Sequence, residues 1–363
     1  MPEIVLTDLN KYFGDVGAVK DLDLVIPDGA FFTLLGPSGC GKTTTLRMIA
    51  GLTKPTTGQI TIGGKTVFDS TTWTIVPPGK RKLGMVFQSY ALWPHMTVWE
   101  NIAFPLRIKK MSADTIKTKI DTVMDQVQIR GLEKRYASEL SGGQQQRVAV
   151  ARELVTGVDV LLMDEPLGNL DAQLRIEMRS ELKKLHASTG QTIIYVTHDQ
   201  LEAMTMSTHV AVMKDGLLQQ LSGPDDIYAK PRNTFVAEFI GDTPINLLDM
   251  EVKEGRLESK KLGIQLPLTE QHKKVKGKVI LGIRPECLKV VTEQSPTTIK
   301  AIVDTVLPAG SEVLLRIRLH EEFLNIVAPR GVQATMDQDI YIDFDMNEVC
   351  IFDQDTGTNL LAG

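Results

Sequence analysis

The chain has little cysteine, no excess of positive charge and no long hydrophobic run, and each shortage removes a class of protein. Three cysteines in 363 residues, Cys40, Cys287 and Cys350, are too few and too far apart for a disulfide framework or a zinc knuckle. Acidic residues outnumber basic ones by 45 to 40, so the basic face that broad nucleic-acid binding requires is missing, and no nucleic acid is expected as a partner. No apolar stretch approaches the ~18 residues of a membrane-spanning helix. Met1-Pro2-Glu3-Ile4-Val5-Leu6-Thr7-Asp8 lacks the basic start and apolar core of a secretory signal, which makes a cytoplasmic location the expectation. His95, His186, His209, His272 and His320 are scattered without metal-ligand spacing. There is no repeat of about 20–50 residues and no low-complexity tract. What remains is an ordinary globular composition, 42% apolar and 23% charged, with length for about two domains.

Against that background one stretch stands out. Gly36-Pro37-Ser38-Gly39-Cys40-Gly41-Lys42-Thr43-Thr44 follows the apolar run Phe31–Leu35 and opens into a helix-favouring segment. Strand, glycine loop and helix is the context in which G-x-x-x-x-G-K-[ST] binds phosphate. The glycines admit backbone angles that turn N–H groups inward around phosphate oxygens, and the helix start adds partial positive charge. Lys42 is expected to reach the β- and γ-phosphates, and the Thr43 hydroxyl to ligate Mg²⁺. Cys40 lies close to a helix N-terminus, a setting that lowers a thiol's pKa, so a reactive thiolate is expected there. These residues predict a nucleoside triphosphate ligand.

A second helix start recurs far along the chain. Leu140-Ser141-Gly142-Gly143-Gln144 precedes Gln145–Arg152, with Ser141 a natural N-cap and two glycines that allow close backbone approach. Read alone, it is either an ordinary capped helix or a second anion site that closes over a nucleotide held by another copy. Leu-Ser-Gly-Gly-Gln-Gln-Gln-Arg resembles the signature motif of ABC-type ATPases, and it falls between the phosphate loop and an acidic strand, as in that family. The acidic strand is Val160-Leu161-Leu162-Met163, ending in Asp164-Glu165-Pro166. A carboxylate at that strand tip is placed to hold Mg²⁺, so Asp164 takes that role, and Glu165 is expected as general base.

The resemblance implies further roles. It makes His198 the switch histidine beside the γ-phosphate, Gln88 a Mg²⁺ contact joined to a helical subdomain, and Tyr12 the ring stacked on adenine. It places Ser141, Gly142, Gly143 and Gln144 on the nucleotide of the opposite copy, and Asp171 in a loop crossing the dimer interface, where Gly168 replaces the usual Ser. It implies ATP and Mg²⁺ as ligands and a homodimer. Two permease subunits would dock near Gln88–Asn101 on the inner face of the membrane, with an extracytoplasmic solute-binding protein in the same system.

The fold class expected is an α/β P-loop NTPase core with a mostly parallel sheet over residues 1–240. A helical subdomain is expected at about 89–155, where Ile116, Ile120, Val123, Met124 and Val127 share a face after Ser112. A small all-β barrel is expected over 241–363, and Gly282-Ile283-Arg284-Pro285-Glu286 resembles the accessory β domain of sugar-importer ATPases. A carbohydrate importer is therefore expected. Polyamine, ferric-iron or other anion importers share these motifs, and a soluble ABC ATPase without a permease is the alternative of another class.

Overall fold

Apolar runs with no polar alternation become the central strands, because a strand covered on both faces has no side to give to water. The computed structural model describes residues 2–292 and 298–361, and contacts divide it into two compact units, Met1–Pro224 and Asp225–Gly363. The first unit opens with β1 (Ile4–Phe13), β2 (Val16–Ile26), β3 (Phe31–Leu35), α1 (Lys42–Ala50), β4 (Thr57–Ile62), β5 (Lys65–Asp69) and β6 (Thr74–Ile75). It continues through β7 (Leu83–Val86), α2 (Val98–Ile108), α3 (Ala113–Gln126), α4 (Gly142–Leu154), β8 (Val160–Asp164) and α5 (Ala172–Thr189). It closes with β9 (Thr192–Thr197), α6 (Gln200–Met206), β10 (His209–Lys214) and β11 (Leu217–Ser222).

A six-stranded sheet in the order β11-β10-β3-β9-β8-β7 is parallel throughout except at β11, and β2-β1-β4-β5-β6 forms a separate antiparallel sheet. Successive residues of the buried strands face opposite ways and feed two cores. Phe32, Leu162 and Ile194 join α1 and the antiparallel sheet. Their neighbours Phe31, Leu161 and Ile193 join the helices α2 to α5. In α3, Ser112 caps the first turn by accepting from Thr115 N, and Ile116, Ile120, Val123 and Met124 are buried on one face.

Register decides what the sheet presents. Leu35 pairs with Thr197, and Asp164 pairs with Val196, so β3, β8 and β9 end level with one another. Ligands in open α/β sheets sit beyond these carboxyl ends. The phosphate loop, the acidic pair and His198 all leave the sheet along this edge.

Two short helices follow, α7 (Pro224–Ala229) and α8 (Thr234–Phe239), which belong to the second unit from Asp225 onward. Its strands are β12 (Asn246–Lys253), β13 (Arg256–Ser259), β14 (Ile264–Pro267), β15 (Gly277–Ile283) and β16 (Lys289–Val291), then β17 (Ile299–Ala309), β18 (Glu312–Leu319), β19 (Glu322–Pro329), β20 (Asp339–Asp343) and β21 (Cys350–Asp353). They form two five-stranded antiparallel sheets, β14-β13-β12-β15-β21 and β16-β20-β17-β18-β19, around a shared core that includes Val279, Leu281, Leu315 and Ile342. The sequence texture changes near residue 241, but contacts assign the two short helices before it to the second unit. Arg284 accounts for this: its guanidinium donates to the carbonyls of Tyr228, Ala237 and Ile240.

The phosphate-facing helix α1 is anchored at its far end by Arg81. This buried guanidinium donates to Met48 O and Ile49 O at 2.8 Å each, to Val76 O at 2.9 Å and to Val67 O at 3.4 Å. A cation at the C-terminal carbonyls complements the helix dipole whose positive end faces the phosphate loop. Arg81→Ala removes these donors at once and is expected to cost about 2–4 kcal/mol of stability in urea unfolding.

Candidate active site

The phosphate loop is shaped by close approach. A side chain on Gly36 would run into the carbonyl of Met213, and one on Gly41 into the carbonyl of Ala18. Gly41 is the N-cap of α1 at φ 103°, a left-handed conformation that glycine adopts without strain. Lys42 is 5% exposed, and its ammonium donates to Gly36 O at 2.7 Å and Pro37 O at 2.9 Å. These partners are neutral carbonyls, so the loop itself solvates the buried ammonium without cancelling its charge. Pro37, Ser38 and Gly39 are exposed on the outer part of the loop, and Thr44 is half-buried at the start of α1.

The reactive thiolate expected at Cys40 is not what the structure contains. Cys40 is buried, and that burial raises its pKa, outweighing the lowering effect of Lys42, whose ammonium lies 3.8 Å from the sulfur. A helix start acidifies a thiol that water can reach; here the loss of water is the larger effect.

Across the loop, Thr43 donates its hydroxyl to Asp164 Oδ1 at 2.8 Å, and Arg47 lies 3.7 Å from Asp164 Oδ2. Burial raises the Asp164 pKa, opposed by the Thr43 hydrogen bond and the Arg47 charge. Glu165 follows at φ 45°, uncommon for a residue of its size, and its N–H donates to Val196 O at 3.0 Å. Such strain, of order 1–3 kcal/mol, persists only where the surroundings impose it. Glu165 Oε2 is 3.4 Å from His198 Nδ1 and accepts from Gln88 Nε2 at 3.4 Å. Three sequence-predicted residues from separate loops thus meet at one carboxylate. A cavity of ≈ 40 Å³ beside it is lined by Glu165, Gly168, Arg175, Thr197, His198, Asp199 and Glu202, room enough for water. At Gly168 a Cβ would come no closer than 3.4 Å to Glu165 O, so space does not demand a glycine.

The remaining expected residues lie further out. Ser141 caps α4 in a capping box, its N–H donating to Gln144 Oε1 at 3.1 Å while its hydroxyl accepts from Gln144 N at 3.4 Å. Ser141 is exposed, whereas Gly143 is buried against Leu174, where a side chain would crowd the leucine at 2.9 Å. Gly142 is half-buried, beside Leu170. Asp171 caps α5 by accepting from Leu174 N at 2.9 Å, a structural job of its own. Tyr12 is 44% exposed and pairs with Gly17 on the β1–β2 hairpin, whose Ala18 carbonyl packs on Gly41.

Several polar residues that organise the site escaped the sequence reading. Asn101, fully buried, accepts from Trp93 N at 3.0 Å and donates to the carbonyls of Trp93, Met96 and Thr97. Asn169 donates to Gln88 O at 3.0 Å. Arg175 donates to Leu170 O at 3.0 Å and lies 3.5 Å from Asp199 Oδ2. Buried Glu202 accepts from Tyr195 Oη at 2.8 Å and Thr197 Oγ1 at 2.7 Å, and burial raises its pKa. A polar residue on the apolar face of a helix, as Asn101 is in α2, was the available signal.

A glycine cradle with a buried lysine, a hydroxyl–carboxylate pair and a strained glutamate on one sheet edge define the class of P-loop nucleoside triphosphatases. Residues 19–168 match the family model described as ABC transporter. The trehalose/maltose import ATP-binding protein MalK of Thermococcus litoralis is 46% identical over 98% of this chain and 99% of its own length. The Fe(3+) ions import ATP-binding protein FbpC of Fusobacterium nucleatum is 41% identical over 99% of this chain and 96% of its own. Among solved structures, the dimeric post-hydrolysis state of the ATP-binding cassette MJ0796, bound to ADP and Pi, matches with a TM-score of 0.53 at 31% identity, covering 61% of this chain and 98% of that one. The chain belongs to the ATP-binding subunits of ABC transporters.

Burial raises the pKa of Cys40 and keeps its thiol protonated at neutral pH, so iodoacetamide should modify it more slowly than a free cysteine at pH 7.5. The rate should climb as pH rises toward the elevated pKa, and MgATP should slow it further; peptide mass mapping over time checks both.

Proposed function

We propose that the chain is the ATP-hydrolysing motor subunit of an importer, acting as a homodimer that closes on two shared ATP sites. The observation that carries this reading is the meeting of the phosphate loop, the Thr43–Asp164 pair and the Glu165–His198–Gln88 group on one sheet edge. Loop N–H groups and Lys42 bind the phosphates, and Tyr12 offers its ring to the adenine. The oxygens of Thr43 and Asp164, 2.8 Å apart, suit a hard cation, and the side-chain oxygen of Gln88 is assigned as a further ligand. Mg²⁺, when bound there, neutralises charge on the β- and γ-phosphate oxygens. Glu165 accepts the proton of the attacking water, and His198 orients that carboxylate at 3.4 Å.

Ser141, Gly142, Gly143 and Gln144 are assigned to the nucleotide of the opposite copy, and Asp171 to the loop along the interface. The dimeric state of the matched cassette bound to ADP and Pi supports that arrangement. Two permease subunits would receive the movement through Gln88–Asn101, at the inner face of the membrane. None of the helices among the described residues is long and apolar enough to cross a bilayer, which fits a subunit that works beside a permease. An extracytoplasmic solute-binding protein belongs to the same system. A carbohydrate is the favoured cargo, because the trehalose/maltose relative is the more identical of the two importers compared, at 46% against 41%. Ferric iron or another ionic solute is the second reading, carried by the Fe(3+) relative. The second unit is assigned a regulatory role.

Lys42→Ala and Glu165→Gln should fail differently. The first should lose ATP affinity along with turnover. The second should bind MgATP, lose roughly 10²–10⁴-fold in rate and accumulate as a closed dimer on sizing columns; hydrolysis at the parental rate would remove Glu165 from this role.

Subunit sharing has its own test. A heterodimer with Lys42→Ala in one copy and Ser141→Arg in the other keeps one undamaged composite site, whereas either homodimer keeps none. Counting trapped nucleotide under hydrolysis-blocking conditions should give one ATP per heterodimer. A count of zero would mean that each site is built within a single chain.

A further inference from the structure

The segment after Gln88 carries a backbone conformation that its own residues do not favour. Tyr90 and Ala91 sit at φ 61° and 48°, two consecutive non-glycine residues in the left-handed region. Such a turn exists only where something holds it. Tyr90 is buried and its N–H donates to Phe87 O at 2.8 Å, and the side chain that holds both carbonyls of the turn is Arg152, in the last turn of α4 and 6% exposed. Its Nη1 donates to Ala91 O at 2.6 Å and its Nη2 to Tyr90 O at 3.1 Å, the two carbonyls of the strained turn. Its guanidinium also lies 5.1 Å from the centre of the Trp93 ring, and its Nε donates to Glu153 Oε1 at 3.4 Å.

The other end of the same helix is Ser141, the residue assigned to the opposite nucleotide. A helix of 13 residues is a rod of about 20 Å, stiff enough to move as one piece. Gln88, two residues before the held turn, is fixed at its own carbonyl by Asn169 and reaches Glu165 with its amide. We propose that Arg152 is a positioning residue for hydrolysis: it locks the Tyr90–Ala91 turn so that Gln88 stands against Glu165, and it ties that turn to the helix that starts at Ser141. Arg152 does not touch the nucleotide in this scheme; it acts through Gln88. The inference rests on the ATPase reading above.

The test is steady-state ATPase of the full chain across ATP concentrations, alongside melting temperatures. Arg152→Lys keeps the charge but cannot bridge two carbonyls with a fork. It should leave KM for ATP within about twofold and lower kcat by about 10²-fold, the scale for a slightly misplaced catalytic group. In a Gln88→Ala background the same substitution should cause no further loss, because the residue it acts through is gone; losses that multiply would overturn the proposal. Ala91→Gly added to Arg152→Lys should restore part of kcat, since glycine holds the left-handed turn unaided. Should Arg152→Lys fold poorly, Ala91→Pro serves instead: Ala91 is exposed, and proline cannot adopt φ 48°. It should reproduce the kcat loss with Arg152 intact. Lys42→Ala, run in parallel, separates the two levels. If it retains ATPase activity, the ATPase reading fails; if it is inactive while Arg152→Lys and Ala91→Pro turn over at the parental rate, only the positioning role fails.

Discussion

Hydrogen-bond register between β3, β8 and β9 governs the first unit, because it brings three loops from distant parts of the chain to one edge. Leu35 stands beside Thr197, and Val196 beside Asp164. A slip of one residue in either pairing would invert the strand's faces and send Phe31, Leu161 or Ile193 into the wrong core. The alternation of large apolar residues into two packed clusters is therefore what aligns Lys42, Asp164 and His198. Packing, spread over the whole unit, sets the geometry of groups that make few contacts with one another.

Along that edge the chain accepts several costly arrangements. Lys42 is buried among carbonyls, Asp164 is a buried carboxylate held by a hydroxyl, and Glu165, Tyr90 and Ala91 take left-handed backbone angles. Each is imposed by neighbours: the sheet through Val196 O, α1 through Thr43, and α4 through Arg152. Burial at the loop has a second effect, since the closeness that makes the cradle also removes Cys40 from water and suppresses its thiolate.

The second unit is organised by different means. Its strands alternate buried and exposed residues, as β18 does from Val313 to Leu319, and pack two sheets on one core. Polar groups stitch it internally. Asn246 donates to Ile283 O and Asn325 O and accepts from Asn325 N, joining the two sheets.

The sequence by itself determined the ligand class and marked the residues that the fold gathers along one sheet edge. Glycine spacing before Lys42-Thr43, the capped Ser141 start and the apolar run ending in Asp164-Glu165 are local patterns, readable because backbone angles and strand burial constrain residue type locally. It also marked where the β-rich texture begins. Tertiary structure alone decided the rest. Whether Cys40 is a thiolate depends on how much water the folded loop admits, and the position of Gln88 depends on Arg152 and Asn169, which lie 64 and 81 residues away in the chain. Arginine at position 152 reads as an unremarkable helix residue until Tyr90 and Ala91 arrive beside it. Solvation and long-range hydrogen bonding are properties of packed neighbours, and no window of sequence contains them.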